Sequence, residues 1–124
     1  MRQFRMIRRA LIAAAFLLPV VGIQMAHAEG GIALEVVISK PKPGVSLETL
    51  LEADKTMELE FVSKQMGFID REVAVSEDGE VFVVVRWETL DDANAAAEAF
   101  MNDPTAQARL ELSDASLFKH YVVQ

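Results

Sequence analysis

The segment from Glu80 to Glu88, with the sequence EVFVVVRWE, limits what this chain can fold into more than any other. Five consecutive apolar residues, four of them valines, are typical of a β-strand. Side chains alternate along a strand, so one face carries Val81, Val83, Val85 and Trp87, and the other carries Phe82, Val84 and Arg86. Both faces are therefore apolar, and each needs a partner that keeps it from water.

Residues 1–28 have the pattern of a secretory signal peptide. A basic stretch with arginines at positions 2, 5, 8 and 9 precedes an apolar run, and Ala26-His27-Ala28 is a small-x-small cleavage site. An uncleaved membrane anchor is the alternative, but the apolar run spans 14 residues, short of the ~20 that a bilayer requires. We therefore expect cleavage after Ala28 and a periplasmic or secreted protein, by either the general or the twin-arginine route.

The mature chain, residues 29–124, has the length of one small domain. It holds eight basic and nineteen acidic residues, a formal charge of −11, because four arginines belong to the signal. Such a surface repels phosphate backbones, so we expect no nucleic-acid partner, and no membrane contact after cleavage. The chain has no cysteine, which rules out disulfides, thiolate metal ligands and cysteine nucleophiles.

The remaining segments predict alternating strands and helices. The predicted strands are Ile32–Ser39, Phe68–Val75, the segment described above and Ser116–Val123. One helix is predicted from the Ser46 cap to about Met66, ended by Gly67, and another begins after Thr89 and breaks at Pro104. Thr105–Leu112 is a short helical continuation. The order β-α-β-β-α-β predicts an α+β, ferredoxin-like fold with a four-stranded antiparallel sheet and both helices on one face. The bare apolar face then predicts a homodimer or a bound ligand.

Three stretches resemble the antibiotic-biosynthesis-monooxygenase (ABM) family of dimeric α+β barrels. They are Gly67–Arg71 (GFIDR), Val85–Ala93 (VRWETLDDA) and Asn102–Pro104 (NDP), and the likeness extends over residues 32–123. The resemblance implies that two sheets meet face to face in a dimer. It also implies a pocket between each sheet and its own helices.

The same resemblance leaves two functions open. The family includes cofactor-free quinone-forming monooxygenases, haem-degrading enzymes and members without known activity. The haem-degrading branch resembles this chain least, because the asparagine of its first strand and the tryptophan of its second helix are absent here. The resemblance thus implies either a cofactor-independent monooxygenase acting on a small apolar or aromatic molecule, or a non-enzymatic binding or interaction module.

Asp54 is the first candidate for a catalytic base. It falls within the apolar stripe of the first helix, which consists of Leu47, Leu50, Leu51, Met57 and Phe61. Burial would raise the pKa of its carboxyl group toward the range of a general base. The alternative is a solvated carboxylate, or one paired with Lys55. Glu58, one turn later, has the same ambiguity and is a candidate for substrate binding.

His120 is the second catalytic candidate, as the only histidine of the mature chain. One histidine without a second ligand nearby does not predict a metal site, and packing against a neighbouring surface is its alternative role. Trp87 and Arg86 are candidates for contacts with an aromatic, anionic ligand, and their alternatives are a core aromatic at a strand end and a solvated strand charge. Phe61 is a further candidate for substrate binding.

Overall fold

Four strands and three helices follow one another over residues 31–124, which are the residues that the computed structural model describes. The strands are β1 (Ala33–Pro41), β2 (Phe68–Val75), β3 (Val81–Trp87) and β4 (Ser113–Val122). The helices are α1 (Leu47–Glu60), α2 (Leu90–Phe100) and α3 (Pro104–Glu111), with a 3₁₀ turn at Val62–Lys64. This order confirms the predicted ferredoxin-like α+β fold. The predicted signal peptide lies outside the described residues.

The sheet has the strand order β2-β3-β1-β4, and every neighbouring pair is antiparallel. The valine-rich strand β3 is therefore central, as its two apolar faces require. The helices cover its inner face, where Val81, Val83, Val85 and Trp87 are all buried. Together with Leu50 and Met57 of α1 and Ala93 of α2, these side chains form the core.

The outer face of the sheet carries no helix among the described residues. Phe82 of β3 and Tyr121 of β4 are 41% and 44% exposed there. Tyr121 pairs with Leu34 of β1, and Phe82 pairs with Ile38. The outer face is therefore an exposed apolar surface across three adjacent strands.

Two β-bulges change which residues face the helices. In β2 the register shifts between Phe68 and Asp70, so that Phe68 pairs with Trp87 and Asp70 with Arg86. Strict alternation would place Phe68 and Arg71 on opposite faces, but the extra residue places both on the inner face. The other shift lies between Ile38 and Ser39 of β1. Ser116 of β4 is the extra residue of this bulge. The strand continues past it and begins at Ser113, three residues earlier than predicted.

Helices α1 and α2 begin at the predicted caps, but α1 ends earlier than predicted. The Ser46 and Thr89 hydroxyls accept hydrogen bonds from the backbone N–H groups of Thr49 and Asp92, which confirms both caps. Helix α1 ends at Glu60 rather than near Met66, because the chain tightens into the 3₁₀ turn before Gly67 reverses it. No helix within residues 31–124 is long and apolar enough to cross a membrane.

Gly67 is required where the chain enters β2. Its φ is +82°, a left-handed conformation that costs other residues roughly 1–2 kcal/mol. A Cβ atom at this position would also clash with the side chain of Asp92, in the first turn of α2. The Gly67 carbonyl accepts a hydrogen bond from Glu88 N–H at 2.7 Å, which holds this turn against the end of β3.

We expect Gly67→Ala to lower the free energy of unfolding more than Gly79→Ala. Gly79 has a φ of +88° but nothing within 4 Å of an added Cβ, so it shares only the conformational cost. The clash with Asp92 should add about 1–3 kcal/mol at Gly67, the usual range for overpacking. Urea denaturation of the two variants measures the difference. Equal losses would show that Asp92 moves away freely.

Candidate functional site: a cavity between the sheet and the helices

A cavity of about 200 Å³ lies between the inner face of the sheet and the helices. Most of its lining is apolar and includes Val83 and Val85 of β3, Met57 of α1, Ala96, Ala97 and Phe100 of α2, and Phe118 of β4. The small alanine side chains of α2 leave space over the sheet. Five residues with polar groups also line the cavity, namely Glu35, Arg71, Trp87, Arg109 and Ser113.

Asp54 is buried beside this cavity in an ion-pair cluster with two arginines. Arg71 donates from Nη1 to Oδ2 at 2.8 Å and from Nη2 to Oδ1 at 2.7 Å. Arg109 donates from Nε to Oδ1 at 2.9 Å. The side chains of Asp54 and Arg71 are each 3% exposed, so both ions depend on these contacts rather than on water.

The two arginines also contact other side chains. Arg71 Nη1 donates to Glu58 Oε1 at 2.9 Å. Arg109 donates to the hydroxyl groups of Ser113 at 3.0 Å and Ser39 at 3.3 Å. The Asp54 cluster, defined here as these six residues, therefore joins α1 and α3 to strands β1, β2 and β4.

The pKa of Asp54 shifts in the direction opposite to the expectation. Burial alone would raise it, but the hydrogen bonds and charges of Arg71 and Arg109 outweigh burial and lower the pKa of the carboxyl group. Its partners are these arginines, neither solvent nor Lys55. A carboxylate with a lowered pKa and both oxygens engaged is a weak proton acceptor. This geometry favours a structural role for Asp54, and its predicted role as a catalytic base stays a prediction.

A second polar group lies farther along β1, where Glu35 and His120 face each other on the inner side. His120 Nε2 is 3.3 Å from Glu35 Oε1, and the two side chains are 12% and 15% exposed. Burial raises the pKa of Glu35, and the charge and hydrogen bond of His120, together with Trp87 and Arg71, offset part of that rise. Glu35 is therefore a stronger proton acceptor than an ordinary glutamate.

Asn94 of α2 contacts the other nitrogen of the His120 imidazole. Its Oδ1 atom lies 3.0 Å from His120 Nδ1, and an amide oxygen only accepts, so Nδ1 carries a hydrogen in this orientation of the amide. The imidazole is therefore held between Asn94 on one side and Glu35 on the other.

The strand register places Arg71, Glu35 and His120 in one row across the sheet. Arg71 pairs with Val85, Val85 with Glu35, and Glu35 with His120. Trp87 follows Val85 by two residues on the same face and is therefore a diagonal neighbour of Glu35. The buried indole N–H has Glu35 as its acceptor and lowers the pKa of that carboxyl group, although the contact falls short of the geometry of a standard hydrogen bond.

The predicted site residues fall into three groups. Phe61 and Trp87 line the cavity. Glu58 and His120 lie beside it, each bonded to a lining residue. Arg86 lies on the outer face, where its Nε is 3.4 Å from Asp70 Oδ1. Alternation along β3 directs Arg86 away from the face that carries Trp87, so it does not line this cavity, and its predicted contact with a ligand stays a prediction.

Sequence reasoning missed Glu35, Arg71, Asn94 and Arg109. Glu35 had a visible signal, since it is the one charged residue on a strand face shared with Ala33 and Val37. Arg71 had none, because a bulge decides which face it takes. Within residues 31–124, no cluster of three or more histidine or acidic side chains could hold a metal ion.

Comparisons with known proteins identify the fold. SnoaB from Streptomyces nogalater, described as a cofactor-independent oxygenase, superposes with a TM-score of 0.63 at 14% identity, over 76% of this chain and 94% of that one. A candidate antibiotic biosynthesis monooxygenase from Nitrosomonas europaea gives 0.56 at 15% identity, over 77% and 90%. One from Chloroflexus aurantiacus gives 0.55 at 14%, over 75% and 93%.

These solved structures confirm an ABM-like fold for the described domain. No family model matches the sequence, and no curated protein is significantly similar to it. At identities of 13–15% the likeness concerns the fold alone. Function must therefore be argued from the cavity and its polar groups.

We expect Asp54→Asn to destabilise the fold by about 3–5 kcal/mol, because it leaves two buried guanidinium groups without their shared carboxylate. Asp70→Asn is the matched control, since Asp70 forms an exposed pair with Arg86; it should cost about 0–1 kcal/mol. Urea denaturation at neutral pH measures both. Similar losses for the two variants would contradict a supporting role for the Asp54 cluster.

The difference between wild type and Asp54→Asn should shrink in acid. The pKa of Asp54 is lowered on folding, so its carboxylate stabilises the folded state above its unfolded pKa, near 3.8, and that contribution is lost as the pH falls through the folded pKa. Denaturation at a series of pH values below 4 tests this. A constant difference at every pH would contradict an ionised Asp54.

Proposed function

We propose that this protein is an exported, ABM-like domain that binds a small apolar or aromatic molecule in the cavity between its sheet and its helices. The observation that carries this proposal is the cavity itself, which has an apolar wall and a few polar groups gathered on it. Such a combination is typical of sites for small molecules, in which apolar walls supply affinity and polar groups fix orientation.

Cofactor-independent oxidation of the bound molecule is the catalytic form of this proposal. A cavity that excludes water would let a base remove the proton of a phenol, and the electron-rich anion would react with dioxygen. The fold shared with a cofactor-independent oxygenase supports this form. Of the two bases predicted from the sequence, His120 lies beside a cavity-lining carboxylate, whereas Asp54 is held by two arginines.

A non-enzymatic binding module is the alternative. The lowered pKa of Asp54 and its pairing with two arginines favour the binding module, because they make the first candidate base a weak proton acceptor. The two forms share the cavity and differ only in whether the bound molecule is turned over.

A homodimer through the outer face of the sheet is part of the same proposal. Phe82 and Tyr121 are exposed on that face beside Leu34, Val36 and Ile38 of β1. Exposed apolar surface that extends over adjacent strands is the usual mark of an interface. A second copy would cover it by the same residues, as a two-fold interface requires.

Export completes the proposal, with a mature protein that begins at Glu29. It is supported by the basic n-region, the apolar run and the Ala26-His27-Ala28 site. Mass spectrometry of the N-terminus, on protein from the periplasm or medium of a Gram-negative host that expresses the full chain, should give Glu29. An intact Met1 in the membrane fraction would contradict it.

Binding can be followed by the fluorescence of Trp87, which is the only tryptophan of the chain and lines the cavity. We expect naphthalene-sized aromatic molecules to change its emission with saturable, micromolar affinity. Ala97→Leu adds volume to the lining and should weaken binding by about tenfold or more, because overpacking costs roughly 1–3 kcal/mol.

Ala99→Leu is the control, since Ala99 is exposed on the same helix; its affinity should equal that of the wild type. No saturable response to any aromatic probe would overturn the ligand-binding proposal. Oxygen consumption with hydroxylated probes then separates the two forms: uptake that depends on the wild-type cavity supports the monooxygenase, and binding without uptake supports the binding module.

The dimer should dissociate when a charge enters the outer face. We expect light scattering of the mature protein at micromolar concentration to give twice the monomer mass, and Phe82→Lys to give the monomer mass, because an apolar contact would bury the lysine. Leu59→Lys, at an exposed position of α1, should remain dimeric. A monomeric wild type would contradict the interface.

A further inference from the structure

The cavity is closed in the middle of the sheet and open at one of its edges. Lining residues in the middle, such as Val83 and Trp87, are buried. Three lining residues are exposed instead: Leu110 of α3 is 39% exposed, Phe118 of β4 is 53% exposed, and Ala115 of β4 is also exposed. The cavity therefore opens to solvent between α3 and β4, and we call these three residues the mouth.

Strand β4 gives the mouth its shape. It is an edge strand, so no strand among residues 31–124 lies on its far side. Ala115 and Phe118 are successive members of its inner row, opposite Ser39 and Val37 of β1, because the bulge sets Ser116 apart. A small side chain thus stands next to a large one in this row. The gap above Ala115 has Phe118 at one end and Leu110 on the helix side.

The ring of Phe118 is held on one side only. Its centroid lies 5.3 Å from that of the His120 imidazole, with an angle of 55° between the rings. The imidazole is itself bonded to Glu35 and Asn94. On the other side the neighbour in the row is the small Ala115, and more than half of the Phe118 side chain faces solvent. Such a side chain changes rotamer without a shift of the backbone.

We propose that Phe118 is a gate residue, whose ring sets how fast molecules enter and leave the cavity through the mouth. A gate changes the barrier between the free and bound states but neither state itself, so it changes the association and dissociation rates by the same factor. A residue that only supplies a wall contact changes the dissociation rate. The kinetic part of this inference rests on the proposed function, because it requires a ligand, whereas access to the cavity does not.

Acrylamide quenching of Trp87 tests the gate without any ligand. Trp87 is the only tryptophan of the chain and is 1% exposed, so a quencher that enters the cavity reaches it through the mouth. We expect Phe118→Ala to raise the bimolecular quenching constant about fivefold, which corresponds to a barrier roughly 1 kcal/mol lower. Leu59→Ala is the matched control, because Leu59 is 56% exposed and lies outside the cavity lining; it should leave the constant unchanged.

Restored bulk at the mouth separates a gate from a general loosening of the fold. Adding Ala115→Leu to Phe118→Ala should reverse most of the increase in quenching, because leucine fills the gap beside the missing ring. A loosened fold would also admit the quencher, but a leucine at an exposed position would not tighten it. Urea denaturation of each variant measures any change in the free energy of unfolding.

Stopped-flow fluorescence with naphthalene measures the two rates. We expect Phe118→Ala to raise the association and dissociation rate constants together, about fivefold each, with little change in Kd. Ala115→Leu alone should lower both rate constants, because it narrows the mouth. This second variant keeps Phe118, so it tests the gate even if Phe118→Ala does not fold.

Four results distinguish the gate from its alternatives. Equal quenching in the wild type and Phe118→Ala would overturn it. Faster quenching that Ala115→Leu does not reverse would overturn it in favour of a loosened fold. A change in the dissociation rate alone would make Phe118 a wall contact. Quenching as expected without any binding of naphthalene would support the gate and count against the proposed function.

Discussion

The buried carboxylate of Asp54 is the interaction on which the arrangement of the other elements depends. It lies on α1, and its two arginine partners lie on β2 and α3, so three elements distant in sequence meet at one pair of oxygens. Removing the Asp54 carboxylate would leave Arg109 buried without an ionic partner among the described residues, which costs far more than the loss of an exposed pair. Arg109 extends the cluster to Ser39 and Ser113, at paired ends of β1 and β4. The cluster therefore fixes the distance between the helices and the sheet.

That fixed distance is what leaves room for a cavity. Helix α2 faces the sheet with Ala93, Ala96 and Ala97, side chains too small to fill the space over Val83 and Val85. A domain held together by apolar packing alone would collapse onto such small residues, because protein interiors are close-packed and leave few voids. Polar contacts at defined lengths resist that collapse. The same network that stabilises the fold thus keeps the cavity open.

The fold followed from the sequence, whereas the site followed only in part. The two apolar faces of β3, the helix caps at Ser46 and Thr89 and the order of the elements are local patterns, and each was sufficient for its prediction. The inward position of Arg71 depends on a bulge, and strict alternation in β2 conceals it. The second partner of Asp54 could not be predicted either, for a different reason. Arg109 is 55 residues away in sequence, and only the packing of α3 brings it close.

Asp54 and Glu35 show why burial by itself does not identify a base. Both are largely buried carboxyl groups beside the same cavity, and burial acts on both in the same direction. Their pKa values nevertheless shift in opposite directions, because Asp54 is bonded to two arginines, whereas the contact of Glu35 with one histidine only partly offsets its burial. The number of permanent cations in contact therefore decides which carboxyl group is fixed as a structural anion. The other keeps the capacity to gain and lose a proton, and in this fold it lies on β1 beside the buried indole N–H of Trp87, which also acts on its pKa.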